Sequence, residues 1–188
     1  LDDVRLTDSQ RMSPVGGGFG VAMATLMVER YAATDSNGFG PGLDNLVELA
    51  RGLEVNGRPA LQDGRVRSAI ARNHAMRAGL DSITTRAMLS MQAGQEPGPE
   101  GALNKLFSVR SRQKLSELAI DLQGARGVTY DVEGLHTDDW TASWLAAPTG
   151  RIAGGADEML LNTIAEKILN LPQDYRPDKG IPFSQIVA

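Results

Sequence analysis

Three long stretches and one shorter closing stretch repeat their apolar residues every three or four positions, and each ends at a glycine or proline break. That period is the helical one, and it leaves little room for a sheet. The clearest case opens at Asp63, placed to cap a helix, and carries Ala69, Met76, Leu80, Ile83, Ala87 and Met91 on one face until Gly94–Gly101 with Pro97 and Pro99 ends it. Ala102–Gln123 follows with Leu103, Phe107, Leu115, Leu118 and Leu122 on one side, closed by Gly124-Ala125-Arg126-Gly127. Phe19–Ala33 forms an earlier helix. Asp35-Ser36-Asn37-Gly38 and Gly40-Pro41-Gly42 break it, and Leu43, Leu46, Val47 and Ala50 restore the stripe to about Leu53. The closing helix starts near Asp157-Glu158, acids suited to the positive end of a helix dipole, buries Leu160, Ile164 and Ile168, and stops at Pro172.

Between these, Asp139–Ala147 reads as a short helix with Trp140 and Trp144 one turn apart, both assigned to the core, and Pro148-Thr149-Gly150 as its break. Asn56-Gly57-Arg58-Pro59 reads as a loop, Leu1–Leu6 as the tail of a strand, and the polar tail Gln173–Ala188 as lying along a surface. The expected fold is therefore all-α, an antiparallel four-helix bundle with a short N-terminal strand, no convincing strand after residue 6 and no internal repeat.

Composition removes several functions. A net charge of −4 and the lack of any lysine–arginine cluster interleaved with aromatics argue against a nucleic-acid binder. With no cysteine in its 188 residues, the chain has no disulfide, thiolate nucleophile or cysteine metal site. No run of about 18 apolar residues is present to span a bilayer, and no signal peptide is visible. Leu1 in place of a start methionine is read as a hint that residues precede it.

Two stretches could carry chemistry. In Gly16–Arg30, a glycine-rich entry leads into an apolar helix in which Gly18, Ala22, Thr25 and Glu29 share one stripe. Small side chains make that face shallow enough for a flat group, with a carboxylate at one end. On spacing alone, Glu29–Arg30 reads as a solvated helix end, since surface Glu and Arg are common. In the second stretch, Gly154-Gly155 precedes Ala156-Asp157-Glu158, so close-approaching backbone leads into a helix start, or simply forms a tight turn. His74 and His136, the only histidines, stand too far apart in the sequence to suggest a metal pair. Gly16-Gly17-Gly18-Phe19-Gly20 matches no phosphate-loop pattern, and no serine–histidine–acid motif is present.

Taken together, Gly16–Arg30 and Arg151-Ile152-Ala153-Gly154-Gly155-Ala156-Asp157-Glu158-Met159-Leu160-Leu161-Asn162-Thr163-Ile164-Ala165-Glu166 resemble the acyl-CoA dehydrogenase family. The first is similar to the Gly-x-Gly-Phe-x-x-Ala-Met helix that opens the family's C-terminal bundle, and the second to its closing Ile-Tyr-Glu-Gly-Thr-x-Glu-Ile segment. Leu1–Arg5 resembles the Phe-Leu-Asp-Asp-Val strand that ends the family's middle β-domain. Leu171-Pro172 and Asp178-Lys179-Gly180-Ile181-Pro182-Phe183 resemble bacterial tails. The resemblance implies residues 1–15 as the end of the β-domain and its connector, and 16–188 as the helical bundle with its surface tail. It thus covers the C-terminal half of a family protein.

The resemblance implies α,β-dehydrogenation of an acyl-CoA thioester, in which a carboxylate takes the α-proton and FAD takes the β-hydrogen as hydride. The commonest base position is Gly154 here, with Ala153 in place of the tyrosine. Isovaleryl- and long-chain-type members instead carry their glutamate on the first bundle helix before an arginine, and an ungapped match through Gly-Phe-x-Val-Ala-Met makes that position Glu29, followed by Arg30. Glu29 is then the expected general base, with its pKa raised by desolvation among Ala22, Thr25, Leu26 and Ala33 under the flavin and thioester. Met27, Val28, Arg30 and Gly155 match substrate-lining positions. Ala156, Asp157 and Glu158 match FAD contacts of the same subunit, and Asp121, Leu122, Gln123, Gly124 and Ala125 match the segment that touches the neighbouring subunit's FAD.

Some positions depart from the family pattern. Ala156 replaces a flavin-contacting threonine, Asp121 stands where glutamine is common, and Glu54-Val55-Asn56-Gly57-Arg58-Pro59 replaces Arg-x-x-Phe-Gly. Asn37–Gly42 interrupts a helix that is continuous in simpler members. Paired-subunit relatives of bacterial steroid side-chain degradation diverge in a comparable way. The implied partners are an acyl-CoA substrate, electron-transfer flavoprotein or an equivalent acceptor, and like or unlike subunits in a homotetramer or heterotetramer, in a bacterial cytoplasm. The alternatives are a non-catalytic subunit of a heteromeric enzyme and an acyl-CoA oxidase.

Overall fold

The structure, a computed structural model, describes residues 2–32, 40–95, 98–129 and 139–186, without the side chains of residues 27–32 and 183. Six α-helices lie among them: α1 (Gly18–Ala32), α2 (Leu43–Arg51), α3 (Gly64–Gln92), α4 (Gly101–Gln123), α5 (Trp140–Gly150) and α6 (Asp157–Thr163). A wide turn over Ile164–Ile168 extends α6. The all-α expectation holds, with six described helices, so the count of four is not confirmed.

The hub is α4, which touches α1, α2, α3, α5 and α6. Its 23 residues span about 35 Å at the helical rise. Side-chain pairs set its neighbours' directions. Asn104 Nδ2 donates to Thr84 Oγ1 at 2.6 Å, and Ser111 Oγ donates to Asn73 Oδ1. Partners that rise on one helix as they fall on the other make α3 and α4 antiparallel. Ser116 and Ser143 hydroxyls meet at 3.0 Å, and Gly150 comes up against Val109, so α5 is antiparallel to α4 as well.

Two apolar clusters divide along this hub. The larger joins Leu43, Leu46 and Ala50 of α2 to Val66, Leu115, Ala119, Leu122 and Trp140. The smaller joins Ala102 and Leu106 of α4 to Leu160 of α6, with Ile164 against it. The cap foreseen at Asp63 is present, its Oδ1 accepting from the Arg65 and Val66 N–H groups at 2.9 and 3.1 Å.

Three local expectations change. Residues 2–6 form no strand and pair with neither strand of the described sheet. The expected loop at Asn56–Pro59 instead closes a small antiparallel hairpin, β1 (Glu54–Val55) with β2 (Arg58–Pro59). Its turn residues Asn56 and Gly57 have φ of 54° and 72°, the geometry that suits a two-residue hairpin. Finally, α5 runs through Pro148 to Gly150, since the Pro148 and Thr149 carbonyls still accept from Arg151, Ile152 and Ala153. Ser143 and Gly150 mark the stripe of α5 that meets α4. Trp140 lies on that stripe at 6% exposure, whereas Trp144, beside it, is 44% exposed and is not core. No helix among the described residues is long and apolar enough to cross a membrane.

Candidate functional site

The residues between α5 and α6 form a turn pinned from both sides. Asp157 N–H donates back to the Arg151 carbonyl at 3.2 Å, closing the turn on itself. Within it, Gly154 and Gly155 have φ of 67° and 108°, the left-handed region in which a side chain is strained. From below, Lys105 of α4 donates its Nζ to the Gly155 carbonyl at 2.6 Å. Lys105 is 1% exposed and ranks among the largest fully buried side chains.

Asp157 supplies the second anchor. Its Oδ2 accepts from Arg110 Nε at 3.0 Å and from Arg151 at 2.9 Å (Nε) and 2.7 Å (Nη2). The residue is 2% exposed, and its Oδ1 is buried without a hydrogen-bond partner among the described residues. Burial pushes the carboxyl pKa up, but the hydrogen bonds and charges of Arg151 and Arg110 outweigh it and hold the group below the usual carboxylate range. Asp157 is therefore an anion at neutral pH, and two α4 side chains, Lys105 and Arg110, fix the turn that holds Gly154 and Gly155.

The other expected positions are placed as follows. Glu29, Met27, Val28 and Arg30 fall on α1, and their side chains lie outside the described residues. The stripe that leads to Glu29 is open, with Gly18, Ala22, Thr25 and Leu26 all exposed. Thr25 turns its hydroxyl onto the Val21 carbonyl at 3.0 Å, which keeps the face flat. Desolvation of a carboxylate there requires something to close over the face. α1 and α6 both rest on α4, so this open face and the glycine turn share one support.

The expected cofactor residues divide into two groups. Ala156, Asp157 and Glu158 begin α6, beside Lys105 and Arg110. Asp121, Leu122, Gln123, Gly124 and Ala125 lie at the far end of α4, about 17 Å along the helix from Arg110. Within the second group, Leu122 is buried in the core, and Gln123 spends an amide N–H on the Ala119 carbonyl at 3.1 Å. Asp121, Gly124 and Ala125 are exposed. The two groups do not converge on one ligand within the chain.

An FAD diphosphate is anionic. At the first group it would meet the carboxylates of Asp157 and exposed Glu158, with the Arg110 and Arg151 charges already set against Asp157. At the second group it would meet Asp121. Neither group of described residues therefore offers an uncompensated cation to that diphosphate.

Sequence reasoning missed Lys105 and Arg110. A count of apolar residues passes over them: Lys105 lies on a second stripe with Val109, Arg112, Ser116 and Ala119, and Arg110 interrupts the apolar side of Leu103 and Phe107. A polar stripe opposite an apolar one ordinarily faces water, so nothing in the pattern marks these cations as covered. His74 is exposed on α3, and His136 lies outside the described residues. Among the described residues no group of three or more histidines and acids could hold a metal.

A family model for the acyl-CoA dehydrogenase C-terminal domain matches residues 16–169. Over 180 residues the chain is 32% identical to acyl-CoA dehydrogenase IpdE1 of Mycobacterium tuberculosis, with 94% of this chain matched to 44% of that protein. The fold is similar to that of a structure described as PigA with FAD and proline, at a TM-score of 0.70 and 19% identity, covering 89% of this chain and 43% of that one. It is also similar to a structure described as the Tcur3481-Tcur3483 steroid ACAD G363A variant, at 0.66 and 18%, covering 84% and 41%. The chain thus spans less than half the length of the proteins it matches. With five helices packed about α4 and the match running from the first glycine-rich helix to the end of α6, the chain belongs to the acyl-CoA dehydrogenase family and carries its C-terminal helical domain.

Proposed function

We propose that the protein in its full length is an FAD-dependent acyl-CoA dehydrogenase in which Glu29 takes the α-proton of an acyl-CoA thioester. The observation that carries this is the pairing of Glu29–Arg30 on α1 with glycine, not glutamate, at position 154. Each of the two places where the family resemblance puts a base is accounted for, and only one holds a carboxylate. A bound flavin supplies the acceptor for the β-hydrogen as hydride. The chain's own share is to present the carboxylate on a shallow face, to line the acyl group with Met27, Val28 and Arg30, and to set backbone at Gly155 against the thioester. Electron-transfer flavoprotein or an equivalent acceptor then reoxidises the enzyme. The test is the flavin absorption of the full-length protein before and after a panel of acyl-CoAs. Bleaching by one class of acyl-CoA is expected, and unchanged turnover in Glu29→Gln would refute the assignment of the base.

A second reading is a subunit that completes a partner's flavin pocket without turning over substrate itself. Exposed Asp121 and the Asp157–Glu158 pair support it, since both put negative charge where an anionic cofactor is expected. So does the likeness to a steroid ACAD whose structure is described by two paired names. A flavin-bearing homo-oligomer that is reduced by acyl-CoA excludes this reading.

A further inference from the structure

We propose that Lys105 is a positioning residue for this reaction: through the Gly155 carbonyl it fixes and polarises the Gly155–Ala156 peptide, which the proposed function sets against the acyl-CoA thioester. The inference rests on the reading of the protein as an acyl-CoA dehydrogenase.

Lysine is among the residues least often buried, and burying its ammonium costs several kcal/mol before any partner is found. Here it is 1% exposed, on the helix that supports both α1 and α6. A methionine would fill the same space at no such cost, so the cation is there for what it binds. Its Nζ lies 2.6 Å from the Gly155 carbonyl oxygen, a short charge-assisted hydrogen bond.

The bound carbonyl belongs to a part of the chain that glycine alone does not orient. Gly154 and Gly155 both occupy the left-handed region, and glycine imposes no preference of its own there. The peptide after Gly155 is set by the turn's own Asp157–Arg151 bond on one side and by Lys105 on its carbonyl. A trans peptide is planar, with C=O and N–H pointing in opposite directions. Tying the Gly155 oxygen to Lys105 therefore turns the Ala156 N–H away from α4. A cation on the carbonyl also draws electron density from the amide and strengthens that N–H as a donor. Space is not the constraint: a Cβ built on Gly154 would lie 3.7 Å from Lys105 Cε, in ordinary contact.

The test compares the full-length flavoprotein with Lys105→Met, which keeps the length and removes the charge, and Lys105→Arg, which restores a cation. Rates are normalised to bound flavin. For Lys105→Met a fall in kcat of about 10- to 100-fold is expected, with KM within about threefold of wild type, as misorientation of a reacting group produces. Backbone amides of residues 155–157 should exchange hydrogen faster, and Lys105→Arg should recover part of both effects. Wild-type kcat in Lys105→Met, or unchanged exchange at these amides, overturns the proposal. Where Lys105→Met does not fold, Lys105→Leu, likewise neutral and without a donor, is held to the same expectations. A wild-type protein that turns over no acyl-CoA refutes the functional reading instead, and amide exchange still shows whether Lys105 holds the turn.

Discussion

Arg110 and Asp157, 47 residues apart in the chain, meet at 3.0 Å and join the middle of α4 to the first residue of α6. Arg151 reaches the same oxygen from the other side, at 2.7 Å. One carboxylate oxygen thus holds two guanidinium groups, one on the hub helix and one at the entry to the glycine turn. The two arginines, each more than a third exposed, stay partly solvated, and the carboxylate does not. Their loss and its loss are therefore not equivalent.

Removing either arginine leaves Asp157 paired to the other, whereas removing both strands a buried anion. Arg110→Ala and Arg151→Ala should each lower stability by about 1 kcal/mol, since partly exposed pairs are screened. The double variant should lose about 3 kcal/mol or more, the cost of an uncompensated buried charge. Urea unfolding midpoints of the four proteins measure the non-additivity, and simple addition would show that Asp157 finds other compensation.

The pH dependence has a definite sign. The Asp157 carboxyl is held below its ordinary value of 3.8, so the folded state binds its proton less readily than the unfolded state. The stability this contributes is complete above the unfolded value and is lost as pH falls through the lower folded one. The stability difference between wild type and Asp157→Asn should therefore be flat from neutral pH down to about 4 and shrink below it. A difference that narrowed already between pH 7 and 5 would mean that another group carries the effect.

Gly40 tests the packing of α5. Its φ is 94°, and a Cβ there would lie 2.8 Å from Ser143 Oγ. Gly40→Ala should cost about 2 kcal/mol, from backbone strain together with displacement of Ser143 from its bond to Ser116. Adding Ser143→Ala removes the Oγ contact but leaves the Ser143 Cβ at 2.9 Å and the backbone strain, so the double variant should recover only part of the loss. Thermal melting of the two variants checks this, and full recovery would assign the whole cost to the Oγ contact.

How far the sequence discloses this architecture depends on the scale of the feature. The Asp63 cap and the half-buried row Ala69, Met76, Leu80, Ile83 and Ala87 are local, set by side chains within a few turns of one another, and both are present. The Glu54–Pro59 hairpin escaped notice because each strand is only two residues long, too short for an alternating pattern. Trp144 could not be placed because its exposure depends on which stripe of α5 meets α4. Lys105 and Arg110 were invisible for a related reason: their partners, Gly155 and Asp157, lie 50 and 47 residues away. In the site, the Gly154–Gly155 turn was legible from its composition, and the cations that hold it were not.

The replacement at Gly154 gives a prediction about where the base can stand. If Glu29 is the base, Glu29→Gln should abolish flavin bleaching by acyl-CoA in the full-length protein. Gly154→Glu in that background places a carboxylate at the family's other base position. A Cβ at 154 meets only Lys105 Cε at 3.7 Å, so the new side chain has room to start. The φ of 67° adds strain of about 1 kcal/mol, which the fold should tolerate. The double variant should therefore bleach again, slowly, because the turn was shaped for glycine and the acyl chain was set for attack from α1. Gly154→Glu alone should bind acyl-CoA more weakly, since two carboxylates would then flank one α-carbon and repel each other. Stopped-flow absorbance of the flavin in the three variants decides it. Bleaching in Glu29→Gln alone would remove the base from α1, and none in the double variant would show that position 154 no longer faces the substrate.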